Sequence, residues 1–432
     1  MMIELIAEWI GSVGGIVLFF VLLIFLTLYL RGVFRERRQY HLKNLPAPET
    51  ENFGFTVACL SDSFISNGKV TGFWVEAERI YATRFDAIAK AKESIQFETF
   101  IMLPGDRADQ FAAAIIKQSR QGVKVQVLID EFGTKSLPKS YWKNLEDAGV
   151  EVRIFNEFSW KDPLYHLKRN HRKLLLIDGK VALIGGAGIA DDWDGKDNNN
   201  SRVPWLDYEV RYQGPVVTRL KGIFIQHWLD AGGIADFTEH HLSPHESEEE
   251  PIIVTAGEDP SYRDSGIRAL FQSLIAGARR RIWIASPYFL PDPNSRELLL
   301  EARKQGVEIR ILTMGKRCDK PYVHYTSREL YPYLLKGGIE IYEYKPSMMH
   351  AKVLLIDDEW VSMGSANFDP RSFFQNEELN LSLRDRYLAE HMESLFLEAF
   401  EKSYLVNWKD WRKRPWKERA IGRFSLLFYW QL

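Results

Sequence analysis

The chain has 432 residues, too many for one ordinary hydrophobic core, so we expect two core-sized units or one large duplicated domain. A hydrophobic content of 46% with 13% aromatic residues excludes a disordered chain. The formal net charge of -2 argues against a general nucleic-acid binder, which is usually strongly basic. Cys59 and Cys318 lie far apart, so we interpret both as free thiols, with neither a disulfide framework nor a thiolate metal site.

The amino-terminal segment has the properties of a membrane anchor. From Ile10 to Leu30 the chain runs for 21 residues without a charge, which is enough for a helix across a bilayer core. A cleaved signal peptide is the alternative, but Glu4 and Glu8 replace the basic leader and no small-residue cleavage site follows. Basic residues, which remain in the cytoplasm, come directly after the run: Arg31, Arg35, Arg37 and Arg38. We therefore predict an anchor over residues 1–40, with a single pass through the cell inner (cytoplasmic) membrane and the body on the cytoplasmic side.

The body of the chain contains an internal repeat. Short β-branched runs alternate with helical stretches in the same order in both copies, as at 122–129 and again at 306–312. Glycines at the helix ends return the chain to a strand. This pattern predicts an α/β sandwich in two halves, one over residues 41–245 and the other over 246–405. The acidic, non-periodic segment Ser243–Pro251 is the predicted linker.

The carboxyl-terminal segment 406–432 carries a second membrane signal. Residues 409–423 include seven Lys or Arg and two acidic residues, interleaved with Trp411 and Trp416. This mixture suits a lipid headgroup interface, while a solvated basic tail packed on its own domain is the alternative. The apolar run from Phe424 to Leu432 has nine residues, too few to span a bilayer.

The sharpest chemical feature is a duplicated H-x-K-x4-D motif. It occurs as His171, Lys173 and Asp178, and again as His350, Lys352 and Asp357. On a strand, residues i and i+2 project from one face, so each histidine and its lysine point into the same site. Phosphodiester transfer needs a nucleophile, a proton donor for the leaving alkoxide, and cations for the phosphate oxygens. Two histidines and two lysines supply this set without a metal, provided that the copies face each other across a pseudo-twofold axis.

The duplicated motif resembles that of the phospholipase D superfamily, and further segments resemble bacterial cardiolipin synthases over most of the chain. These segments are 205–215, 286–292, 339–344 and the 411–419 tail. The resemblance implies a fold of two phospholipase D-type halves, no cofactor, no metal, and phosphatidylglycerol as the substrate. It further implies transfer of a phosphatidyl group from one phosphatidylglycerol to another, through a phosphatidyl-histidine intermediate, with release of glycerol. His171 is the expected nucleophile and His350 the general acid and then base, although near-symmetry leaves the reverse assignment open.

The same resemblance assigns roles around the histidines. Lys173, Lys352 and Asn367 are expected to hold phosphate oxygens, and Ser365 belongs to the same G-S-x-N segment. The family places a carboxylate that orients a histidine ring nitrogen at Glu378, and Glu209 looks like its counterpart in the first copy. Gly188 stands where the family commonly has Asn. Asp178 and Asp357 complete the predicted catalytic set, with a role in turns or salt bridges equally open for both.

The sequence motifs leave other functions open. A hydrolase of the same fold, or an enzyme exchanging another phospholipid headgroup, would show the same motifs. A nucleic-acid phosphodiesterase is less consistent with the anchor and the acidic balance, and a membrane scaffold without activity is a poor fit to two intact motifs. The expected partners are thus a phospholipid and the membrane, without nucleic acid, and the oligomeric state is left open.

Overall fold

The computed structural model of the protein describes residues 2–30, 41–157, 160, 165–196, 203–236, 242, 249–258, 260–261 and 264–432. The basic cluster after the predicted anchor and most of the predicted linker Ser243–Pro251, including the boundary at 245/246, lie outside the described residues.

The chain begins with the long helix α1 (Met2–Leu30). Its segment Gly11–Tyr29 has a mean hydropathy of 2.6 and is not buried against the rest of the protein. Within the described ranges, it is the one helix that is long and apolar enough to cross a membrane. An apolar helix with no buried residue in this segment differs from a core helix, and it is consistent with membrane association.

The first half alternates strands and helices in the order that the repeat predicts. Its elements are β2 (Lys69–Val75), α3 (Ala77–Lys90), β3 (Ser94–Thr99), α4 (Asp106–Arg120), β4 (Lys124–Asp130), α5 (Glu131–Thr134), α6 (Lys139–Asp147), β5 (Glu151–Phe155), β6 (Arg169–Asn170), β7 (Leu174–Ile177), β8 (Val181–Gly185), β9 (Tyr208–Gln213) and α7 (Pro215–Asp230). The sheet order is β2-β9-β8-β7-β3-β4-β5, in which β3, β4 and β5 are parallel. Helix α4 carries acidic residues in its first turn and basic residues in its last, matching its dipole, and Gly122 follows it with φ +90°.

The second half repeats this arrangement. Its elements are β10 (Pro251–Gly257), α8 (Gly266–Gly277), β11 (Arg281–Ala285), α9 (Pro293–Lys304), β12 (Glu308–Met314), α10 (Pro321–Lys336), β13 (Glu340–Tyr344), β14 (Val353–Ile356), β15 (Trp360–Gly364), α11 (Pro370–Phe374), β16 (Asn376–Arg384), α12 (Arg386–Glu401) and β17 (Ser403–Leu405). The strands β11, β12 and β13 are parallel, and β14, β15, β16 and β10 follow antiparallel on the other side. The pairing in the two sheets is equivalent, which confirms the predicted duplicated α/β fold.

The segment before the first sheet packs on the second half, although the sequence division placed it in the first. It contains α2 (Glu51–Leu60) and β1 (Phe64–Asn67), and β1 pairs with β10. Phe53 of α2 is fully buried and its ring meets Trp360 edge-on at 5.3 Å. This burial of apolar surface explains why the segment joins the second sheet.

A central core joins the halves. Leu174 and Leu176 of β7 pack in the same buried cluster as Val353 and Leu355 of β14, together with α7 and α12. The alternate residues of β7, such as Leu175, face a separate cluster under the outer helices of the first half. The inner sides of the two sheets therefore share one hydrophobic layer with α7 and α12, and β8 contacts β15 across it.

Candidate active site

The histidine motifs lie where the two halves cross. Strand β6 pairs with β16 of the second half, and the His171 N–H then donates to the Glu377 carbonyl at 2.9 Å. In the equivalent place, the His350 N–H donates to the Leu206 carbonyl of the first half at 2.8 Å. Each motif is thus held by backbone hydrogen bonds to the opposite half, which fixes both histidines at the interface.

His171 is oriented by a carboxylate from the opposite half. Its Nδ1 lies 2.9 and 3.0 Å from the two oxygens of Glu378, which is fully buried. A carboxylate only accepts hydrogen bonds, so Nδ1 carries the proton and Nε2 keeps its lone pair. Ser365 and Ser372 also donate their hydroxyls to Glu378. Glu378 thus contacts a histidine ring nitrogen, as the resemblance implies, and Ser365 helps to hold Glu378.

His350 has the matching arrangement, with one correction. Its Nδ1 lies 2.8 Å from Asp207, and Trp193 donates its indole N–H to the same oxygen at 2.9 Å. Glu209, predicted as the counterpart of Glu378, instead pairs with Arg84 at 2.9 Å and does not reach the ring. Successive side chains of a strand alternate between its two faces, so positions 207 and 209 point to the same side. Only Asp207 reaches His350, because it directly precedes β9, where the two halves cross.

The register of the sheets shows why Asp207 is the equivalent residue. Gly185 faces Glu209 in the first sheet, and Gly364 faces Asn380 in the second. Counting back two residues from Glu209 and from Asn380 gives Asp207 and Glu378. Aligning the copies on strands β9 and β16 would therefore have identified Asp207, whereas counting residues from the histidines does not, because the intervening loops differ in length.

The two lysines are buried beside the histidines. Lys173 Nζ donates to the His171 carbonyl at 2.6 Å, and Lys352 Nζ lies 2.9 and 3.1 Å from the two ring nitrogens of His350. Lys352 Nζ also donates to the His350 carbonyl at 2.5 Å, as Lys173 does to that of His171, so its ammonium lies over the His350 ring. The structure records no hydrogen bond to His171 Nε2 from any described residue, so the two rings differ at this atom.

Burial and charge set the protonation states. Burial lowers the pKa of His171 to about 3 and that of His350 to about 4, so both rings are neutral at pH 7. Burial also lowers the pKa of Lys173 to about 7 and that of Lys352 to about 8. The Lys352 charge acts on His171 and the Lys173 charge on His350, so the four groups form one electrostatic site.

Glu378 is ionised despite its burial. Burial opposes its ionisation, but His171, Lys173 and the Ser365 hydroxyl outweigh that effect and lower its pKa to about 2. The pKa of Asp207 is also lowered, because its bond to His350 and the charge of Lys352 outweigh the effect of burial. Both carboxylates are therefore available to stabilise an imidazolium when either ring takes up charge.

Asp178 and Asp357 do not reach the site, so their place in the predicted catalytic set is wrong. Asp178 accepts backbone N–H groups of residues 92–94 at 2.8 to 3.1 Å, and Asp357 accepts those of 279–281 at 2.7 to 3.2 Å. Both have left-handed backbones, with φ +54° and +51°. Each lies seven residues after its histidine, roughly 23 Å along an extended chain at about 3.3 Å per residue. Each aspartate holds its turn against the start of a neighbouring strand by these hydrogen bonds. This is the role in a turn that the sequence left open.

Asn367 lies in the second-half loop, and its side-chain oxygen is unpaired among the described residues. It is 3% exposed, and its Oδ1 is buried. Its backbone N–H donates to the Ser372 hydroxyl at 3.0 Å, which fixes the loop. A buried amide without a partner is costly, so this side chain is suited to bind a polar ligand.

The first-half loop has no space for the equivalent amide. A Cβ on Gly188 would lie 2.6 Å from the Ile101 carbonyl oxygen, and a Cβ on Gly186 would lie 2.2 Å from Asp207 Oδ1. Arg84 fixes the loop by donating to the carbonyls of Ala187 and Gly188 at 2.9 and 3.0 Å. Glycine at 186 thus allows Asp207 to approach, and Glu209 acts through Arg84 to support this loop.

A further buried histidine stabilises β6, the strand directly before His171. His227 Nδ1 lies 2.7 Å from Glu98, and its Nε2 contacts Glu377, so the ring touches a carboxylate on each side. Burial and Arg172 oppose its protonation, but the two carboxylates outweigh them and raise its pKa. Glu98 also accepts from the Asn170 amide at 2.8 Å. The sequence offered no signal for His227 because this histidine lacks the motif spacing.

Within the described ranges, no three His, Cys, Asp or Glu side chains are grouped as metal ligands would be.

Comparisons with known proteins agree with this geometry. The family described as "Cardiolipin synthase, PLD-like domain" matches residues 85–204 and 271–400, one match in each half. A cardiolipin synthase of Geobacillus sp. (strain WCH70) is 32% identical over 399 residues, which cover 91% of this chain and 79% of that protein. One from Alkalihalophilus pseudofirmus is 34% identical over 374 residues, covering 84% and 72%. The crystal structure of phosphatidylserine synthase from Haemophilus influenzae Rd KW20 superposes with a TM-score of 0.68 at 12% identity, covering 88% of this chain and all of that one, and shares the fold. The chain therefore belongs to the cardiolipin synthase family of the phospholipase D superfamily.

Proposed function

We propose that the protein is a cardiolipin synthase that transfers a phosphatidyl group from one phosphatidylglycerol to the hydroxyl of another, releasing glycerol. The observation that carries this proposal is the pair of buried, neutral imidazoles, each held at Nδ1 by an ionised carboxylate of the opposite half. This arrangement leaves two Nε2 atoms for chemistry at one phosphorus. The relatives named cardiolipin synthase supply the substrate class.

His171 is the proposed nucleophile. Its Nε2 has no recorded hydrogen bond within the described residues, whereas His350 Nε2 lies 3.1 Å from the Lys352 ammonium. A ring that attacks phosphorus becomes positively charged, and the Lys352 ammonium opposes that charge on His350 whereas Glu378 favours it on His171, which supports His171 as the nucleophile. His350 is then the group proposed for proton transfer.

In the first step, His171 Nε2 forms a bond to phosphorus and the bond to the glycerol oxygen breaks. The negatively charged phosphodiester favours a protonated His350, which enters this step as the imidazolium; the leaving alkoxide takes its Nε2 proton, and the ring is left neutral with Nδ1–H on Asp207. Glu378 stabilises the positive ring of the phosphatidyl-histidine intermediate. The phosphate charge favours the protonated forms of the surrounding groups, so substrate raises the pKa of His350 above its value of about 4.

In the second step, the hydroxyl of another phosphatidylglycerol loses its proton to His350 and its oxygen attacks phosphorus. The bond between phosphorus and His171 breaks and cardiolipin leaves. Lys173, Lys352 and the Nδ2 donor of Asn367 are the groups proposed to hold the non-bridging oxygens in both steps. Water in place of the second lipid would give phosphatidic acid, so exclusion of water determines the product.

The proposed location is the cell inner membrane, with α1 as a single span and the body on the cytoplasmic side. The exposed apolar helix supports the span. The orientation rests on the basic residues at 31–38 in the sequence.

Product analysis tests the function. The full chain, incubated with phosphatidylglycerol alone, is expected to yield cardiolipin and glycerol in equal amounts by lipid mass spectrometry. Phosphatidic acid as the sole product would establish a hydrolase, and efficient cleavage of single-stranded DNA would revive the nucleic-acid alternative.

Two variants test the roles. His171→Ala and His350→Ala are each expected to abolish turnover, while His391→Ala, an exposed histidine on α12, is the matched control and should leave it unchanged. Peptide mapping after acid-free quenching is expected to find phosphohistidine at His171. A phosphorylated His350 would reverse the assignment.

A further inference from the structure

The carboxyl-terminal tail is an ordered part of the second half. It comprises α13 (Trp408–Arg412), α14 (Trp416–Ser425) and a 3-10 segment (Leu426–Gln431). On its inner side the Trp411 indole N–H donates to the Arg328 carbonyl at 2.6 Å, and Arg414 pairs with Glu329 at 2.8 Å. Gly422 lies so close to α10 that a Cβ would be 2.5 Å from the Tyr325 carbonyl oxygen. The tail is thus fixed to α10 rather than solvated.

The outer side of the tail is apolar and exposed. Trp416 is 72% exposed, Phe424 63% and Leu427 69%. Trp416, Ala420 and Phe424 follow each other at intervals of four and therefore share one face of α14, with Leu427 one turn further on. We call these four residues the tail face. An exposed apolar stripe of this kind on a folded protein marks a surface that meets another partner.

The charge around the tail face identifies that partner. Five basic residues of the tail are exposed: Lys409, Arg412, Lys413, Lys417 and Arg423. The whole chain has a net charge of -2, so this excess of positive charge is local. Aromatic and aliphatic side chains bordered by exposed cations match the boundary between headgroups and acyl chains in an anionic bilayer.

We propose that the tail face docks on an anionic phospholipid bilayer. Trp416, Phe424 and Leu427 enter the interface, and Lys417 and Arg423 lie at the level of the headgroups. Docking places a second contact with the membrane on the body, in addition to α1. It does not depend on which lipid the enzyme converts.

The docked tail is joined to the active site through short contacts. The Tyr429 hydroxyl donates to the carbonyls of Leu290 and Pro291 at 2.9 and 2.8 Å, and the Trp430 ring lies 6.2 Å from that of Phe374. Phe374 is in α11, which also carries Ser372, and the Ser372 hydroxyl donates to Glu378 at 2.7 Å. The surface that meets the membrane therefore backs onto the element that positions His171, so the cleft stays at a fixed distance from the lipid.

Depth measurement with spin labels tests the proposal without reference to activity. The full chain carries Cys59→Ser, because Cys59 is exposed whereas Cys318 is buried. A nitroxide is attached to the Phe424→Cys variant, and to Tyr387→Cys as the control, an α12 position that is 72% exposed. Both proteins are reconstituted into vesicles of phosphatidylcholine with or without phosphatidylserine, an anionic lipid that is not the proposed substrate. Accessibility to oxygen and to a water-soluble nickel chelate is then compared.

The label at 424 is expected to favour oxygen over nickel several-fold in the phosphatidylserine vesicles, whereas the control label remains accessible to nickel. The double variant Lys417→Glu with Arg423→Glu should lower the ratio of membrane-inserted to water-accessible label at 424 by at least about 25-fold. Each lost cation lowers that ratio by about fivefold. A nickel-accessible label at 424 in both vesicle types would overturn the proposal, and equal insertion in both would overturn its preference for anionic lipid. Leu427→Cys serves as a second labelled variant if Phe424→Cys fails to fold.

Discussion

The carboxylate that orients His350 gives the most demanding test of the site. Asp207 receives three donors: His350 Nδ1 at 2.8 Å and the Trp193 indole at 2.9 Å on Oδ2, and the Tyr208 N–H at 2.9 Å on Oδ1. In Asp207→Asn only one side of the group can still accept. If the amide nitrogen faces His350, the ring must move its proton to Nε2, and it then cannot accept a proton in the second step.

The expected loss follows from the bond that is removed. A hydrogen bond to a charged group contributes about 1.5 to 3 kcal/mol, equivalent to a decrease in kcat of about 10- to 150-fold. The change of tautomer adds to this loss. The assay is the initial rate of cardiolipin formation from labelled phosphatidylglycerol in mixed micelles, expressed per folded molecule.

The matched control is Glu209→Gln, two residues away. Glu209 pairs with buried Arg84, so this change is expected to reduce the free energy of unfolding by about 3 kcal/mol while affecting kcat much less. Thermal unfolding measures the stability of both variants. If Asp207→Asn kept the wild-type rate, or if Glu209→Gln lost activity while Asp207→Asn did not, the assignment of Asp207 to His350 would be refuted.

Three further predictions concern geometry, turns and pH. Gly186→Ala should lower kcat at least tenfold, because the new Cβ would lie 2.2 Å from Asp207 Oδ1; normal kinetics in purified protein would contradict this. Asp357→Ala should reduce the free energy of unfolding by about 1 to 3 kcal/mol, since it leaves backbone N–H groups unpaired, yet kcat per folded molecule should stay unchanged; a large kcat loss with full stability would return this residue to the chemistry. Because the pKa of His350 is lowered from its ordinary value of 6.5 to about 4 in the folded protein, only the unfolded state takes up a proton between these values. The urea concentration at the unfolding midpoint, measured in detergent, should therefore be lower at pH 5 than at pH 7. The decrease should be smaller in His350→Gln. An equal decrease in both proteins would show that this ring does not contribute.

The repeat and its motif spacing were sufficient to predict the fold and the main chemical groups. The period-two rule alone indicates that each histidine and its lysine share a face, and the structure brings the two pairs together. Membrane association was likewise predictable, because an uncharged run of 21 residues matches the thickness of a bilayer core.

What the sequence could not provide were contacts between the halves. Glu378 was identified, but nothing in the sequence indicates that it serves the histidine of the other copy. The choice of Asp207 over Glu209 depends on strand register, which is set by pairing partners distant in the chain. The assignment of α2 and β1 to the second sheet depends in the same way on burial that emerges only after folding.

The exchange of carboxylates between the copies has a consequence for how this fold can change. Each motif relies on an acidic neighbour encoded in the other copy, so the two copies cannot diverge independently. Replacing one copy with that of a distant relative therefore exchanges one partner in both histidine–carboxylate hydrogen bonds at once, and a working chimera requires that both new contacts across the halves form.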